Sequence, residues 1–292
     1  MTRRALALLV LTGWGALAVA YGRREMRRTA EVLRSDLRSK VAPGVHWFAV
    51  EQHGDHCGFA SLALDTLALG QVQLRWRMVH RCGAGRWEEE IPVRTSASLA
   101  LREVDFRLVC GNDTVRGRAR MGSYPGRLEG TVNSTARGRL PLVFGDSATV
   151  RSLALLRLAL RSELRPGAEL RPALLGSDGR LVRAIYSVGN DSMFAVVDSA
   201  AKDAAGDWRA ARSDTIRAWR VTEREEGDTA VFWVDRGGRI VLARLDSGLV
   251  LRRTAFELAF ENWRRIAGRA AGGPLGGREC RERRSSGTVQ RK

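Results

Sequence analysis

The sequence predicts a mainly β protein of α+β class, a meander or open antiparallel barrel that carries one buried helix. Three observations predict it. Short apolar segments alternate with breaks rich in Gly, Asn and Asp, first from Val45 to Leu142 and again over residues 168–253, as hairpin-connected strands do. One long run, residues 148–162 (ATVRSLALLRLALRS), is leucine-rich and free of Gly and Pro, which suits a buried helix. Seven of the eight Trp (Trp47, Trp76, Trp87, Trp208, Trp219, Trp233 and Trp263) fall in the body of the chain, where large rings favour strands that bury one face.

Taken in order, Ala5 to Tyr21 form an apolar run after Arg3 and Arg4. Residues 1–21 therefore read as a signal peptide or a short membrane anchor. Ala18-Val19-Ala20 has the small-x-small form read by signal peptidase. Against this stand Arg23, Arg24, Arg27, Arg28, Arg34, Arg38 and Lys40 on the C-terminal flank, which by the positive-inside rule favour a cytoplasmic body. The cleavage-like triplet and the cysteine reading below favour export. The expected location is the cell envelope, periplasmic and either cleaved or anchored, with an inner-membrane protein of cytoplasmic body as the alternative. Residues 22–44 read as a polar helical linker, because Met26, Ala30, Leu33 and Leu37 recur at helical spacing.

The first group of strands is expected at 45–52, 57–66, 71–81, 87–94, 97–108, 114–121, 126–133 and 136–142. They are divided by Gly54-Asp55, Gly70, Gly83-Ala84-Gly85, Gly111-Asn112-Asp113 and Tyr124-Pro125-Gly126, residues that tolerate positive φ or preset a turn. The helix over 148–162 has Ser147 as its cap and Pro166-Gly167 as its stop. Strands then resume at 168–175, 180–188, 193–198, 215–223, 229–235, 239–245 and 248–253, with Ala200–Ser213 as a loop of small and polar residues. Thr254-Ala255-Phe256-Glu257 has capping-box form and opens a short closing helix, 255–265, with Phe256, Ala259, Phe260 and Trp263 on one face. Residues 45–265 thus read as a β-rich extracytoplasmic domain with possible halves 45–146 and 147–265. Residues 266–292 are Gly-, Arg- and Ser-rich and are expected to be a disordered basic tail.

The formal charge of +17 invites a nucleic-acid reading, but its distribution argues against one. Residues 1–40 hold nine basic and three acidic residues, and 264–292 hold nine basic and two acidic. The body between them intermixes 31 basic and 27 acidic residues, whereas a nucleic-acid groove concentrates cations on one folded face. No nucleic-acid partner is therefore expected. The basic excess marks the ends of the chain.

The cysteines are Cys57, Cys82, Cys110 and Cys280. If strands 57–66 and 71–81 pair through a two-residue turn at Leu69-Gly70, opposed residue numbers sum to 139, which sets Cys57 against Cys82. Facing Cα atoms are about 4.5–5.5 Å apart, within reach of a disulfide, and an exported protein permits one. All four His (His46, His53, His56 and His80) lie near these cysteines. A metal site of His53, His56, Cys57, His80 and Cys82 is the competing reading, since zinc takes Cys and His in fours. However, the spacing matches no ligand pattern, strand alternation separates His56 from Cys57, and a disulfide would consume both sulfurs. His53-Gly54-Asp55-His56 reads equally as a polar turn.

No catalytic constellation is visible. The chain lacks a Gly-x-Ser-x-Gly elbow, a phosphate-binding Gly-x-x-x-x-Gly-Lys loop and a dinucleotide fingerprint. No His follows residue 80 to serve a Cys–His pair. Glu88-Glu89-Glu90 reads as a solvated strand start rather than paired catalytic carboxylates. No catalytic residue and no cofactor are assigned.

The order of segments resembles a known group. Trp47-Phe48-Ala49-Val50-Glu51-Gln52-His53-Gly54 runs into Gly58-Phe59-Ala60-Ser61. Leu164-Arg165-Pro166-Gly167 follows the leucine-rich helix, and Phe232-Trp233-Val234-Asp235 precedes Gly237-Gly238-Arg239-Ile240-Val241. Over residues 45–263 this pattern resembles β-rich bacterial envelope domains related to the half-open barrel of the LolA/LolB lipoprotein carriers, some of which precede transglutaminase-like domains. No Cys, His and Asp triad of that enzyme occurs in order here. The resemblance implies a curved antiparallel sheet, an open half-barrel whose concave apolar face is capped by a helix and can hold an acyl chain. The expected function is then a non-catalytic envelope protein, tethered to the membrane through its N-terminal segment, that binds a lipid-like ligand, a lipoprotein or an envelope partner. A scaffold with a filled core is the first alternative and a Cys/His hydrolase or metal-binding protein the second. Oligomeric state is left open.

Overall fold

The computed structural model describes residues 41–82, 86–122, 127–136, 138–145, 148–162, 164–176, 179–225 and 227–265. The apolar run, most of the polar linker, Ser147 and the basic tail lie outside the described residues. Eight strands open the domain: β1 (Gly44–Gln52), β2 (Asp55–Thr66), β3 (Val72–His80), β4 (Trp87–Thr95), β5 (Leu101–Cys110), β6 (Asp113–Met121), β7 (Arg127–Ser134) and β8 (Gly138–Gly145). Each pairs antiparallel with the next.

A two-residue strand, β9 (Ala148–Thr149), and helix α1 (Arg151–Ser162) follow. The short strands β10 (Glu169–Leu170), β11 (Ala173–Leu175) and β12 (Leu181–Arg183) come next. A second meander completes the sheet: β13 (Ile185–Lys202), β14 (Trp208–Arg224), β15 (Thr229–Val234), β16 (Ile240–Arg244) and β17 (Leu249–Thr254). The closing helix, α2, covers 256–265 and contains a π-helical turn at Glu257–Glu261.

The two meanders join through their outermost chain positions. β17 pairs with β1, Trp47 facing Thr254, and this builds a fourteen-stranded sheet that runs from β10 to β8 without pairing its two edges. The sheet is therefore curved and open. A separate three-stranded sheet, β12-β11-β9, lies beside the start of α1.

Helix α1 fills the concave side with its Leu and Ala side chains, Leu153 to Leu156 and Leu158 to Leu160 all being buried, as an apolar helix face must be. Leu153, Leu155 and Leu156 are fully buried. They share one core with Phe48, Phe106, Phe144, Tyr186 and Phe232 from strands spread across the whole sheet. Each such leucine contributes about 1.5–3 kcal/mol by leaving water. Gly238, at φ +76°, marks how closely the β15–β16 turn approaches α1. A Cβ there would lie 2.6 Å from Leu156 Cδ1 and 2.9 Å from its Cα, so no larger residue fits. Helix α2 packs on the opposite, convex face, where Phe260 and Trp263 meet Phe59 at ring distances of 4.9 and 5.0 Å and Phe256 meets Trp47 at 4.8 Å.

Several elements differ from the sequence reading. Helix α1 begins at Arg151 rather than at 148, because Ala148 and Thr149 pair in parallel with Ala173 and Leu174 of β11. The segment 97–108 starts pairing only at Leu101. Before it, Ser96–Ala100 forms a turn in which Leu99 adopts φ +61°, and the Arg157 guanidinium of α1 donates to the Leu99 carbonyl at 2.6 and 2.9 Å. Residues 168–175 split into β10 and β11 around Pro172.

The expected loop Ala200–Ser213 is the distal part of the β13–β14 hairpin, whose ladder continues to Lys202 opposite Trp208. It is a ribbon exposed on both faces, so it lacks the alternation that reveals a half-buried strand. The expected strands 180–188 and 193–198 likewise merge into β13, apart from the short β12, across an irregularity between Val188 and Asp191. The capping box is not formed. Thr254 still pairs with Trp47 on β1, and the π turn carries no side-chain cap hydrogen bond.

Candidate functional site

The inner faces of β3, β4 and β15–β17, the start of α1 and the β11–β12 hairpin enclose a cavity of about 410 Å³. That volume falls in the size range of small-molecule sites, roughly 300–1,000 Å³. Strand alternation supplies its apolar walls. Trp76 and Met78 point inward from β3, Ile91 from β4, Phe232 from β15 and Leu251 from β17, and Leu174 and Val182 close it from the small sheet.

Polar groups converge where α1 begins. Arg151 makes a two-pronged contact with Glu223 of β14, Nε lying 2.9 and 3.0 Å from the carboxylate oxygens and Nη2 lying 2.7 Å from Oε1. Tyr186 of β13 donates its hydroxyl to Glu223 Oε2. Glu223 and Tyr186 are almost fully buried. Arg151 itself is exposed, with 47% of its side chain accessible, and it lines the cavity. Burial alone would depress its pKa, but the charge of Glu223 and the hydrogen bonds to it outweigh this and hold the guanidinium protonated. Burial and the neighbouring Glu223 raise the Tyr186 pKa well above the usual phenol value.

Glu225, 3.6 Å from Arg151 Nη2, has its pKa raised by burial. Arg151 opposes that shift and Glu223 adds to it. Glu89 points inward from β4 and accepts a 3.1 Å hydrogen bond from Trp76 Nε1. Arg180 and Asp228 are exposed at the mouth.

A second buried polar cluster lies where β1 and β17 meet the β15–β16 turn. Asp235 accepts hydrogen bonds from the Gly237 and Arg239 backbone and from Arg239 Nε at 2.7 Å. Arg253 Nη1 is 3.5 Å from Asp235 Oδ2. His46 is half-buried, and its Nε2 atom is buried without a hydrogen-bond partner. Burial, then Arg253 and Arg239, push its pKa down to about 3.

The residues singled out from the sequence are placed elsewhere. Cys57 and Cys82 form a disulfide with Cα atoms 5.2 Å apart. The register behind that pairing differs by one from the expectation. Gly58 faces His80 and Leu64 faces Leu74, because the connection is a five-residue turn (Leu67 N–H to Gln71 O, with Leu69 at φ +59°) rather than a two-residue one. The bond still closes because Cys82 lies past the end of β3, where the ladder no longer fixes its direction.

His53 sits in the β1–β2 turn at φ +53°, and the His56 ring hydrogen-bonds the Gly58 carbonyl at 2.7 Å. His80 stacks on Trp87. Among the described residues, no group of three or more His, Cys, Asp and Glu is placed to hold a metal ion, and no cysteine is a free thiol, Cys110 being disulfide-bonded as well. Glu88 and Glu89 are not a solvated strand start. Glu88 is buried and ion-paired with Arg86 at 2.9 Å, and Glu89 lines the cavity.

Arg151, Tyr186, Glu223 and Glu225 carry no motif and lie far apart in sequence. The available signal was Arg151 at the start of a leucine-rich helix.

Fold and cavity together define an open, curved antiparallel β-sheet with an internal helix and an interior cavity. Two solved structures are similar to it. The β-barrel-like protein of domain of unknown function DUF1849 from Brucella abortus is 13% identical, with a TM-score of 0.47 over 73% of this chain and 95% of that one. A DUF1089 family protein from Pseudomonas aeruginosa is 14% identical, with a TM-score of 0.30 over 62% of this chain and 87% of that one. No protein-family model matches the chain, and no curated protein matches it significantly.

Proposed function

We propose that the protein is a non-catalytic cell-envelope protein that holds a hydrophobic, lipid-like ligand inside its curved sheet. The observation that carries this reading is the cavity of about 410 Å³, walled by apolar side chains and left open although five leucines of α1 are buried beside it. The likeness of the segment order to the lipoprotein-carrier half-barrels supports an acyl ligand and an envelope location. The apolar N-terminal run and the Cys57–Cys82 disulfide suit export. The disulfide-bonded state of the described cysteines weighs against the Cys/His hydrolase alternative, since it leaves the neighbouring histidines no thiol to activate.

The test is to purify the full chain from an envelope fraction and analyse extracted lipids by mass spectrometry. A stoichiometric lipid is expected. An empty protein that also fails to take up added lipid would sink the reading and leave the scaffold alternative. A reporter fused after Lys292 that is active only outside the cytoplasm would support the location, and activity inside would overturn it.

A further inference from the structure

We infer that the protein lies on a lipid bilayer with the convex face over the start of β1, where Val45, Trp47 and Phe256 form an apolar patch flanked by arginines. This rests on the cell-envelope reading and adds which face meets the membrane. Strand alternation puts Val45 and Trp47 on the convex side, since Phe48 and Val50 are buried in the concave core. Helix α2 brings the Phe256 ring to 4.8 Å from Trp47 and stacks it on Phe260 at 5.3 Å. Val45 nevertheless stays 53% exposed and Phe256 37%. Other large apolar side chains exposed among the described residues are dispersed. On β8, for example, Leu140 and Val143 fall on opposite faces.

Two rows across the sheet carry the patch into charge. Val45 faces Ala63, which faces Arg75, and Trp47 faces Ser61, which faces Arg77. Arg75 and Arg77 are exposed, and the Arg77 guanidinium lies 5.6 Å from the centre of the Phe59 ring. Rings and arginines at one level suit the boundary between acyl chains and head groups, where aromatic side chains concentrate and long cationic ones reach out to the phosphates.

Both ends of the chain meet this face. Residues 22–43 separate the apolar run Ala5–Tyr21 from β1. With that run in the bilayer, Val45 can be at most about 75 Å of extended chain away from it. At the other end α2 leads into residues 264–292, where nine basic residues stand against two acidic, a balance that an anionic leaflet attracts. A patch of this size would hold a free protein weakly. On a tether it meets the bilayer at the high effective concentration of an intramolecular contact.

The test places one added tryptophan in the patch, Val45→Trp, and one outside it, Val143→Trp. Val143 is 50% exposed on the same convex side but seven strands from β1. That is roughly 34 Å along the sheet, against an insertion depth of about 5–10 Å for interfacial groups. Each full chain is reconstituted with vesicles of phosphatidylcholine and phosphatidylglycerol that carry brominated acyl chains. Relative to the native chain, the emission added by Val45→Trp should lose most of its intensity to bromolipid. The emission added by Val143→Trp should be lost only to aqueous acrylamide. Adding Phe256→Glu to Val45→Trp should cut the bromolipid loss by more than half, with circular dichroism confirming the fold.

Bromolipid quenching both positions alike would overturn the inference, as would acrylamide reaching Val45→Trp as freely as Val143→Trp. Shielding of Val45→Trp from both quenchers would overturn it too, and would show that the chain's own N-terminal segment or a second copy covers the patch. Flotation of the native chain with the vesicles is the reference. A chain that stays unbound would overturn the membrane tether as well. A bound chain with a stoichiometric cavity lipid but no lipid contact at Val45→Trp would overturn the face assignment alone.

Discussion

Arg151 and Arg253 are both turned into the interior of the same sheet, yet their surroundings have opposite charge balance. Arg151 faces the two oxygens of Glu223 with Glu225 close by, and its pKa rises. Arg253 shares one carboxylate, Asp235, with Arg239. Burial and Arg239 lower its pKa, and the adjacent His46 is held neutral. The rich site borders the cavity, whereas the poor site packs where the β15–β16 turn rests on α1. The same residue type is thus part of a polar lining at one end and a tolerated buried charge at the other. What separates them is the number of carboxylates and the space left beside them.

The comparison is broken most directly at Glu223. Glu223→Leu is expected to destabilise the fold by about 3–5 kcal/mol, because it strands Arg151 and Tyr186. The double variant Arg151→Met/Glu223→Leu should recover most of that loss, since no uncompensated charge remains. Urea unfolding followed by tryptophan fluorescence measures both, and equal losses would assign the effect to packing. At the poor site, Asp235→Asn should cost roughly 2–3 kcal/mol, less than at Glu223 because the isosteric amide can still accept from the Gly237 and Arg239 N–H groups.

The poor site should also respond to acid. The folded pKa of His46, about 3, lies below the ordinary 6.5, so the unfolded chain takes up the proton first as pH falls. Its contribution is complete above about pH 6.5 and is lost on descending towards pH 3. Between pH 7.5 and 4.5 this removes on the order of 2 kcal/mol, and His46→Gln should flatten that part of the profile in urea unfolding. An unchanged slope in the variant would show that other groups set the acid response. The smallest effect is expected from Tyr186→Phe, about 1 kcal/mol for one donated hydrogen bond, read from the same unfolding curves.

The sequence reading recovered the elements whose burial is one-sided. Strands β1–β8 announce themselves because buried inward positions such as Phe48, Val50, Leu62 and Leu74 alternate with half-buried or exposed ones. α1 does so because its run is leucine-rich and free of Gly and Pro. Where burial gives no pattern, the reading failed. The distal β13–β14 ribbon is exposed on both faces and read as a loop, and the buried Glu88 and inward Glu89 read as a solvated run. The site was the least legible part. Arg151, Tyr186, Glu223 and Glu225 come from a helix and two strands brought together by the second meander, and no local spacing foretells that.

By itself, the sequence determined a β-rich, helix-containing chain and set Cys57 and Cys82 at the same end of two neighbouring strands, because periodicity and turn chemistry act over a few residues. Only the tertiary structure decided that the last strand, β17, pairs with the first, β1. It also decided that the hairpin register is shifted by one residue, and that a charged network borders an unfilled space beside α1. Those outcomes depend on how far the sheet curls before the helix fills it. That is a property of the whole packed core, which no single segment of the chain encodes.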